Sequence, residues 1–383
     1  MIYLDNAATT VTDPEVVRSM LPYFTENFGN PSSIYSIGND TKNAIAKARA
    51  QVAGLIGARP GEIYFTSGGT ESNNWAVTGA VMALQKKPHI VVSAIEHLSV
   101  LNPCKMLEKM GCEVTYLPAR SDGTISVETF ASKLRPDTGF VSIMLANNEV
   151  GTIEPIRKLA EIVHEKGAIF HTDAVQAVGH IPVDVYDLGV DLLSGSAHKF
   201  GGPKGVGFLY VKEGIKLKKF MFGGHQQEGM RAGTENVPGI VGLGTAAEIA
   251  GRGLENRMGH IESLRNMLLN EIRNRIHGVQ INGTMQGRLP GNINVSIPGI
   301  DAESLVIRLD RQDIFISTGA ACSAGASRPS HVLKALGYNN DRLKGAIRIS
   351  VSESNTIGEI EKVASVITDE VFKMYEASGA GYY

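Results

Sequence analysis

The chain has 383 residues, 43% of them hydrophobic and 20% charged, with a formal net charge of -2. That composition supports a large core and two subdomains, and the near-neutral charge argues against nucleic acid or an anionic membrane as the main partner. No apolar run approaches the roughly 20 residues that span a bilayer. The opening MIYLDNAATT places Asp5 and Asn6 where a signal peptide is apolar, and the three cysteines, Cys104, Cys112 and Cys322, show no CxxC or zinc-type spacing. A reducing cytoplasm is the expected compartment.

In chain order, short β-rich runs end abruptly in polar residues. Ile63–Phe65 runs into Thr66-Ser67-Gly68-Gly69-Thr70, followed by a helical pattern from about Glu71 to Lys86. His89–Ser93 leads to Glu96-His97, and Phe140–Leu145 leads to Asn147-Asn148-Glu149. Ala168–His171 leads to Asp173 and Gln176, and Val190–Leu193 leads to Ser196-Ala197-His198-Lys199. Gly205–Val211 reads as one more buried strand. Strands alternating with helices predict an α/β fold with a mainly parallel sheet covered on both faces, and ligands then gather beyond the carboxyl ends of its strands. From about Arg257 the pattern changes to an amphipathic helix at Ile261–Ile276, a strand at Asn292–Ile297, a helix at Ala302–Asp310 and a strand at Ala346–Val351. The expected division is a large unit at 13–256 and a smaller α+β unit formed by 1–12 and 257–383.

Lys199 follows a buried strand, with Ser194, Gly195, Ser196, Gly201 and Gly202 crowding around it. Alone, such a lysine is more often a solvated surface charge. A lysine that must bind an aldehyde cofactor covalently needs this kind of presentation into a cavity. Asp173 ends another strand, where a bare carboxylate is costly unless paired. It suits the nitrogen of a pyridinium ring, although a helix-capping role fits the same position. Thr66–Ser72 lies between a strand and a helix and offers backbone amides and hydroxyls to a phosphate. It matches neither GxxxxGK[ST] nor GxGxxG, so the nucleotide readings are weak. Ser196 and His198 are further phosphate candidates, and His97 is placed to lie over an aromatic ring. Cys322 stands in GAACSAGASRPS at 319–330, a run with little to bury that predicts a surface loop. Cys104 and Cys112 read as core residues.

These segments together resemble the class V aminotransferase family, of pyridoxal-phosphate fold type I, and within it the cysteine desulfurases of the NifS/IscS type. The resemblance rests on Tyr3–Thr10, Gly29–Ser33, Thr66–Asn74, Asn147–Gly151, Asp173–Gln176, His198–Gly205, Arg231–Thr234 and Gly319–Ser323, in family order over nearly the whole chain. Tyr35 stands where the family often has a histidine. The resemblance implies a seven-stranded large sheet and pyridoxal 5'-phosphate as cofactor, with Lys199 as its covalent lysine and Asp173 as its ring-nitrogen partner. It implies Gln176 and Asn148 near the ring oxygen, Gly69, Thr70, Ser196 and His198 at the phosphate, and His97 stacked on the ring and available as a proton carrier. Thr234 would reach the neighbouring subunit's phosphate, which makes a homodimer. Arg348, assisted by Asn148, would hold the substrate carboxylate.

The activity implied is removal of sulfur from L-cysteine to give L-alanine and a Cys322 persulfide, passed to an acceptor such as an iron-sulfur scaffold protein. No resident metal is expected, though Cys322 could ligate an iron-sulfur species transiently. Two rivals use the same scaffold: a selenocysteine lyase, and an aminotransferase or β-lyase that would not need Cys322. A non-catalytic scaffold is the rival from another class, against which the intact Lys199 and Asp173 argue.

Overall fold

The β-rich runs assemble into one large sheet and two small ones in the computed structural model, which describes residues 1–84, 86–319 and 329–378. The strands are β1 (Ile2–Tyr3), β2 (Ile63–Thr66), β3 (His89–Ser93), β4 (Glu113–Leu117), β5 (Thr138–Ser142), β6 (Ile169–Asp173) and β7 (Leu192–Ser196). They continue with β8 (Gly207–Val211), β9 (Gln280–Ile281), β10 (Asn292–Ser296), β11 (Ile314–Phe315), β12 (Ser317–Thr318) and β13 (Ala346–Ser350).

The large sheet has seven strands in the order β2-β8-β7-β6-β5-β3-β4. Its pairings from β7 across to β4 are parallel, while β8 runs antiparallel to both neighbours. The reversal follows from chain length. Only the segment 197–206 joins β7 to β8, too short for the crossover of a dozen or more residues that a parallel return requires. Both faces are covered. Ile90, Val92, Phe140, Leu192 and Leu209 pack under the helices Gly69–Ala83 and Leu98–Lys109, and their chain neighbours Val91, Val141, Leu193 and Phe208 pack under helices on the other side. The alternation is the two-residue period of a strand, and burial on both sides explains the unbroken apolar runs.

The strand bounds differ from the sequence pattern in an instructive way. β5 is bounded at Ser142, although the Ile143 and Leu145 amides still donate to the His171 and Asp173 carbonyls of β6, while β7 reaches Ser196 through Ser194 and Gly195. Apolarity marks burial, whereas strand length is set by pairing: Gly195 lies opposite Phe208, and a Cβ there would come within 2.3 Å of its ring. Beyond the large sheet, β12-β13-β10-β9 form a four-stranded sheet and β1 pairs with β11 in parallel. Ile2 and Leu4 share an apolar cluster with residues from Ile261 to Val371, so the chain's beginning packs against its end.

Candidate active site

The carboxyl ends of β3, β5, β6 and β7 point the same way, and each carries a turn with polar residues. Lys199 closes a single 3-10 turn, Ala197–Lys199, directly after β7. Its ammonium donates to the carbonyls of Ala7 at 2.7 Å and Ala8 at 2.8 Å. Gln176 Nε2 donates to the same Ala7 carbonyl at 2.9 Å, so the 5–10 segment, 192 residues away in sequence at Ala7, forms one wall of the site. His180 meets the Lys199 carbonyl at 2.8 Å from behind. A cavity of about 320 Å³ shares Ala7 and Gln176 but not Lys199, Asp173 or His97, and so lies on the far side of that wall.

Asp173, 4% exposed, ends β6 on the neighbouring strand. Its Oδ2 accepts from Asn73 Nδ2 at 2.6 Å and its Oδ1 from the Val175 amide at 2.9 Å. His97 caps the helix Leu98–Lys109, with Nδ1 2.7 Å from Ser99 Oγ. Glu96, beside it, is fully buried; burial next to Asp173 pushes its pKa well above the ordinary carboxylate range, and the Met144 amide donates to its Oε1 at 2.6 Å.

The start of the helix Gly69–Ala83 has the features a phosphate site needs. Its N-cap, Gly68, has φ 151° and no side chain caps the first turn. The backbone amides and the positive end of the helix dipole there suit an anion. Ser196 Oγ would lie 3.7 Å from a Cβ at Gly68, which places its hydroxyl over the same turn. His198 Nδ1 meets Thr9 Oγ1 at 3.1 Å; burial and the Lys199 and Lys204 charges push its pKa down to about 4, so it is neutral near pH 7. Arg231 clamps Glu71 in that first turn with two bonds of 2.8 and 3.0 Å. Three residues on, Thr234 is exposed.

Arg348, on β13, is 1% exposed; it donates to the Asn148 carbonyl at 3.0 Å and to Asp5 Oδ1 at 2.7 Å. Glu149, next to Asn148, accepts from Ser330 Oγ. Cys322 lies outside the described residues. The residues flanking that stretch are anchored at this wall: the Gly319 amide bonds the Ala346 carbonyl at 2.8 Å, and Ser330 bonds Glu149.

The geometry thus gathers Lys199, Asp173, Gln176, His97, Ser196, His198, Gly69, Thr70, Asn148 and Arg348 around the strand ends. It also adds residues that reading the sequence did not single out. Asn73 was within reach of that reading, since it lies four residues after Gly69 and so on the same helix face. Asp5, Ser99 and Glu149 carried no local signal, because their partners are brought to them by packing.

The class-V aminotransferase family profile matches residues 2–363, and the chain belongs to that family. Its members are pyridoxal-phosphate-dependent enzymes. Among relatives, cysteine desulfurase IscS of Clostridium botulinum (strain Hall) is 47% identical over 380 residues, covering 98% of this chain and 96% of that one. A solved NifS-like protein superposes with a TM-score of 0.92 at 39% identity, covering 97% of this chain and 99% of its own. A structure described as SspA in complex with cysteine gives a TM-score of 0.81 at 35% identity, over 93% of this chain and 100% of that one.

The residues present fit the cofactor. There is an uncapped helix start for the phosphate, where a Cβ on Gly69 would sit 2.6 Å from Val175 Cγ2 and crowd the turn. There is a buried carboxylate for the ring nitrogen and an amine in the turn that follows the adjoining strand.

Proposed function

We propose that this chain is a cysteine desulfurase that converts L-cysteine to L-alanine and carries the sulfur on Cys322 as a persulfide. The observation that supports it most is the Lys199 amine and the buried Asp173 carboxylate at the ends of adjacent strands β7 and β6, in a chain nearly half identical to enzymes of that name.

Bound there, pyridoxal phosphate would supply an electron sink for reaction at the substrate Cα. Gly69, Thr70, Ser196 and His198 would hold the phosphate, Asp173 would keep a proton on the ring nitrogen, and Gln176 and Asn148 would stand near the ring oxygen. His97 would cover the ring. Arg348 binds the substrate carboxylate with a planar fork that lysine cannot reproduce. Lys199 would hold the cofactor covalently, and its amine would move the proton at the substrate Cα. Cys322, as thiolate, attacks the substrate sulfur. An S–S bond forms, the Cβ–Sγ bond breaks with its electron pair going to carbon, and the carbon product takes up a proton and leaves as alanine.

The reading extends to a homodimer in which Thr234 reaches the partner's phosphate, to a sulfur-acceptor protein such as an iron-sulfur scaffold, and to the cytoplasm. Exposed Phe24, Phe28, Ile34 and Phe222 support an interface with a second copy, and among the described residues no helix is long and apolar enough to cross a membrane. Residues 13–256 form the large unit, and 1–12 with 257–383 the small one, a division supported by their separate apolar clusters.

Mass spectrometry after brief exposure to L-cysteine tests the proposal: one added sulfur is expected on the Cys322 peptide, with alanine as the carbon product. A Cys322→Ser protein that releases sulfur at the parental rate, or a keto acid as main product, would refute it.

A further inference from the structure

Asp173 and His97 follow different strands, yet a continuous run of side-chain hydrogen bonds joins them. Asn73 Nδ2 donates to Asp173 Oδ2 at 2.6 Å and to Ser99 Oγ at 2.8 Å, and Ser99 Oγ lies 2.7 Å from His97 Nδ1. The two ends of this run set the direction of every proton in it. At one end a carboxylate oxygen accepts, so the amide nitrogen of Asn73 must face Asp173, and both of its hydrogens are then committed. Ser99 Oγ takes one of them and keeps its own proton available for His97 Nδ1. At the other end the Ser99 backbone N–H, which can only donate, also meets Nδ1 at 3.2 Å. Asn73 Oδ1, meanwhile, is buried without a partner among the described residues, an orientation that only the acceptors on its nitrogen side account for.

We infer that Asn73 and Ser99 are positioning residues that hold His97 as the neutral tautomer protonated at Nε2, making it a hydrogen-bond donor toward the reacting groups. The Ser99 backbone N–H, which cannot reverse, donates to Nδ1, so that nitrogen carries no proton, and gaining one would break this bond and turn the Ser99 hydroxyl around. The role of His97 as a proton carrier is thereby narrowed, because its ring offers a fixed N–H rather than a free basic nitrogen. Asp173 anchors the far end, so the group that serves the cofactor nitrogen also orients the residue over the ring. Around His97, Glu149 acts from the turn after β5 and His331 from the helix His331–Ala335, while Glu96 adjoins it in the chain and Asp173 faces it through Asn73. The tautomer itself stands on contacts within the chain; what Nε2 donates to rests on the desulfurase reading.

Nitrogen-15 NMR of the holoenzyme, labelled at the histidine rings, tests the inference, with the His97 signals assigned by their loss in His97→Gln. At pH 7.5 the expected spectrum shows His97 Nδ1 unprotonated and Nε2 bearing hydrogen. In Ser99→Ala the His97 titration should move up by about one unit, since a donor that favours only the neutral ring is lost. Ser99→Thr, which keeps the hydroxyl, should restore the parental titration. A hydrogen on Nδ1 in the parent, or an unchanged titration in Ser99→Ala, overturns the inference. Should Ser99→Ala fail to fold, the parental spectrum still decides. The signals are read without turnover, so a protein that shows this tautomer but makes no alanine refutes the desulfurase reading alone.

Discussion

Glu149 sits beside Asn148 and accepts from Ser330, with Arg348 and His97 close enough to favour its charged form. Burial outweighs all three and pushes its pKa up to about 7 from an ordinary 4.5. The folded state therefore binds the proton more tightly than the unfolded chain. The associated stability is fully present below pH 4.5 and is lost as pH rises through 7, an effect of about 3 kcal/mol. Glu149→Gln removes this dependence. Relative to the parent, the variant should gain stability between pH 5 and pH 8, read as the difference in urea midpoints at the two values; a constant difference would contradict the assignment. Arg348 invites a second substitution. Its fork spans the Asn148 carbonyl and Asp5 together, and a lysine ammonium would keep only one of them. Arg348→Lys should raise the KM for L-cysteine about 10- to 100-fold, corresponding to the ~1.5–3 kcal/mol of a charged hydrogen bond, with a smaller effect on kcat.

The helix Gly69–Ala83 shows how one element serves packing and chemistry together. Its inner face buries Trp75, Ala76 and Ala80 against the sheet, its first turn faces the proposed phosphate, and Asn73 reaches Asp173 from the same face. The sequence pattern predicted a helix from Glu71, but the structure begins it two residues earlier, because Gly68 takes a φ of 151° and lets Gly69 approach Val175. Gly69→Ala would place its methyl 2.6 Å from Val175 Cγ2, forcing the helix start away from the end of β6. Overpacking of this kind costs about 1–3 kcal/mol. The variant should melt lower and retain less pyridoxal phosphate after dialysis, measured by the cofactor's visible absorbance; full retention would show that the turn does not hold the phosphate.

At the scale of the whole molecule, the 5–10 segment closes the site against β7 while β1 pairs with β11, so the chain's first residues tie the two apolar clusters together. Phe24, Phe28, Ile34 and Phe222 are exposed, as the proposed homodimer needs, and Arg231 holds the Thr234 segment to the helix Gly69–Ala83. Sedimentation equilibrium should therefore return twice the chain mass. Co-expression of Lys199→Ala with Thr234→Arg gives a sharper test. If the threonine acts across the interface, a mixed dimer has one site with both residues intact, and random pairing should restore about a quarter of parental activity. No recovery would place Thr234 in its own subunit's site.

The sequence by itself determined the alternation of strands and helices and the polar residues at strand ends, and it singled out Lys199, Asp173, His97 and Cys322 as candidates. The elements and their turns are local properties, written in side-chain period and turn chemistry, whereas Cys322 lies outside the described residues. Only the tertiary structure decided that Ala7 and Ala8 cradle the Lys199 amine, that Asp5 neutralises Arg348 across 343 positions, and that Asn73 and Ser99 bridge Asp173 to His97. Such bonds join residues distant in sequence, and their geometry exists only once the sheet order and the packing of its covering helices have brought the partners within about 3 Å.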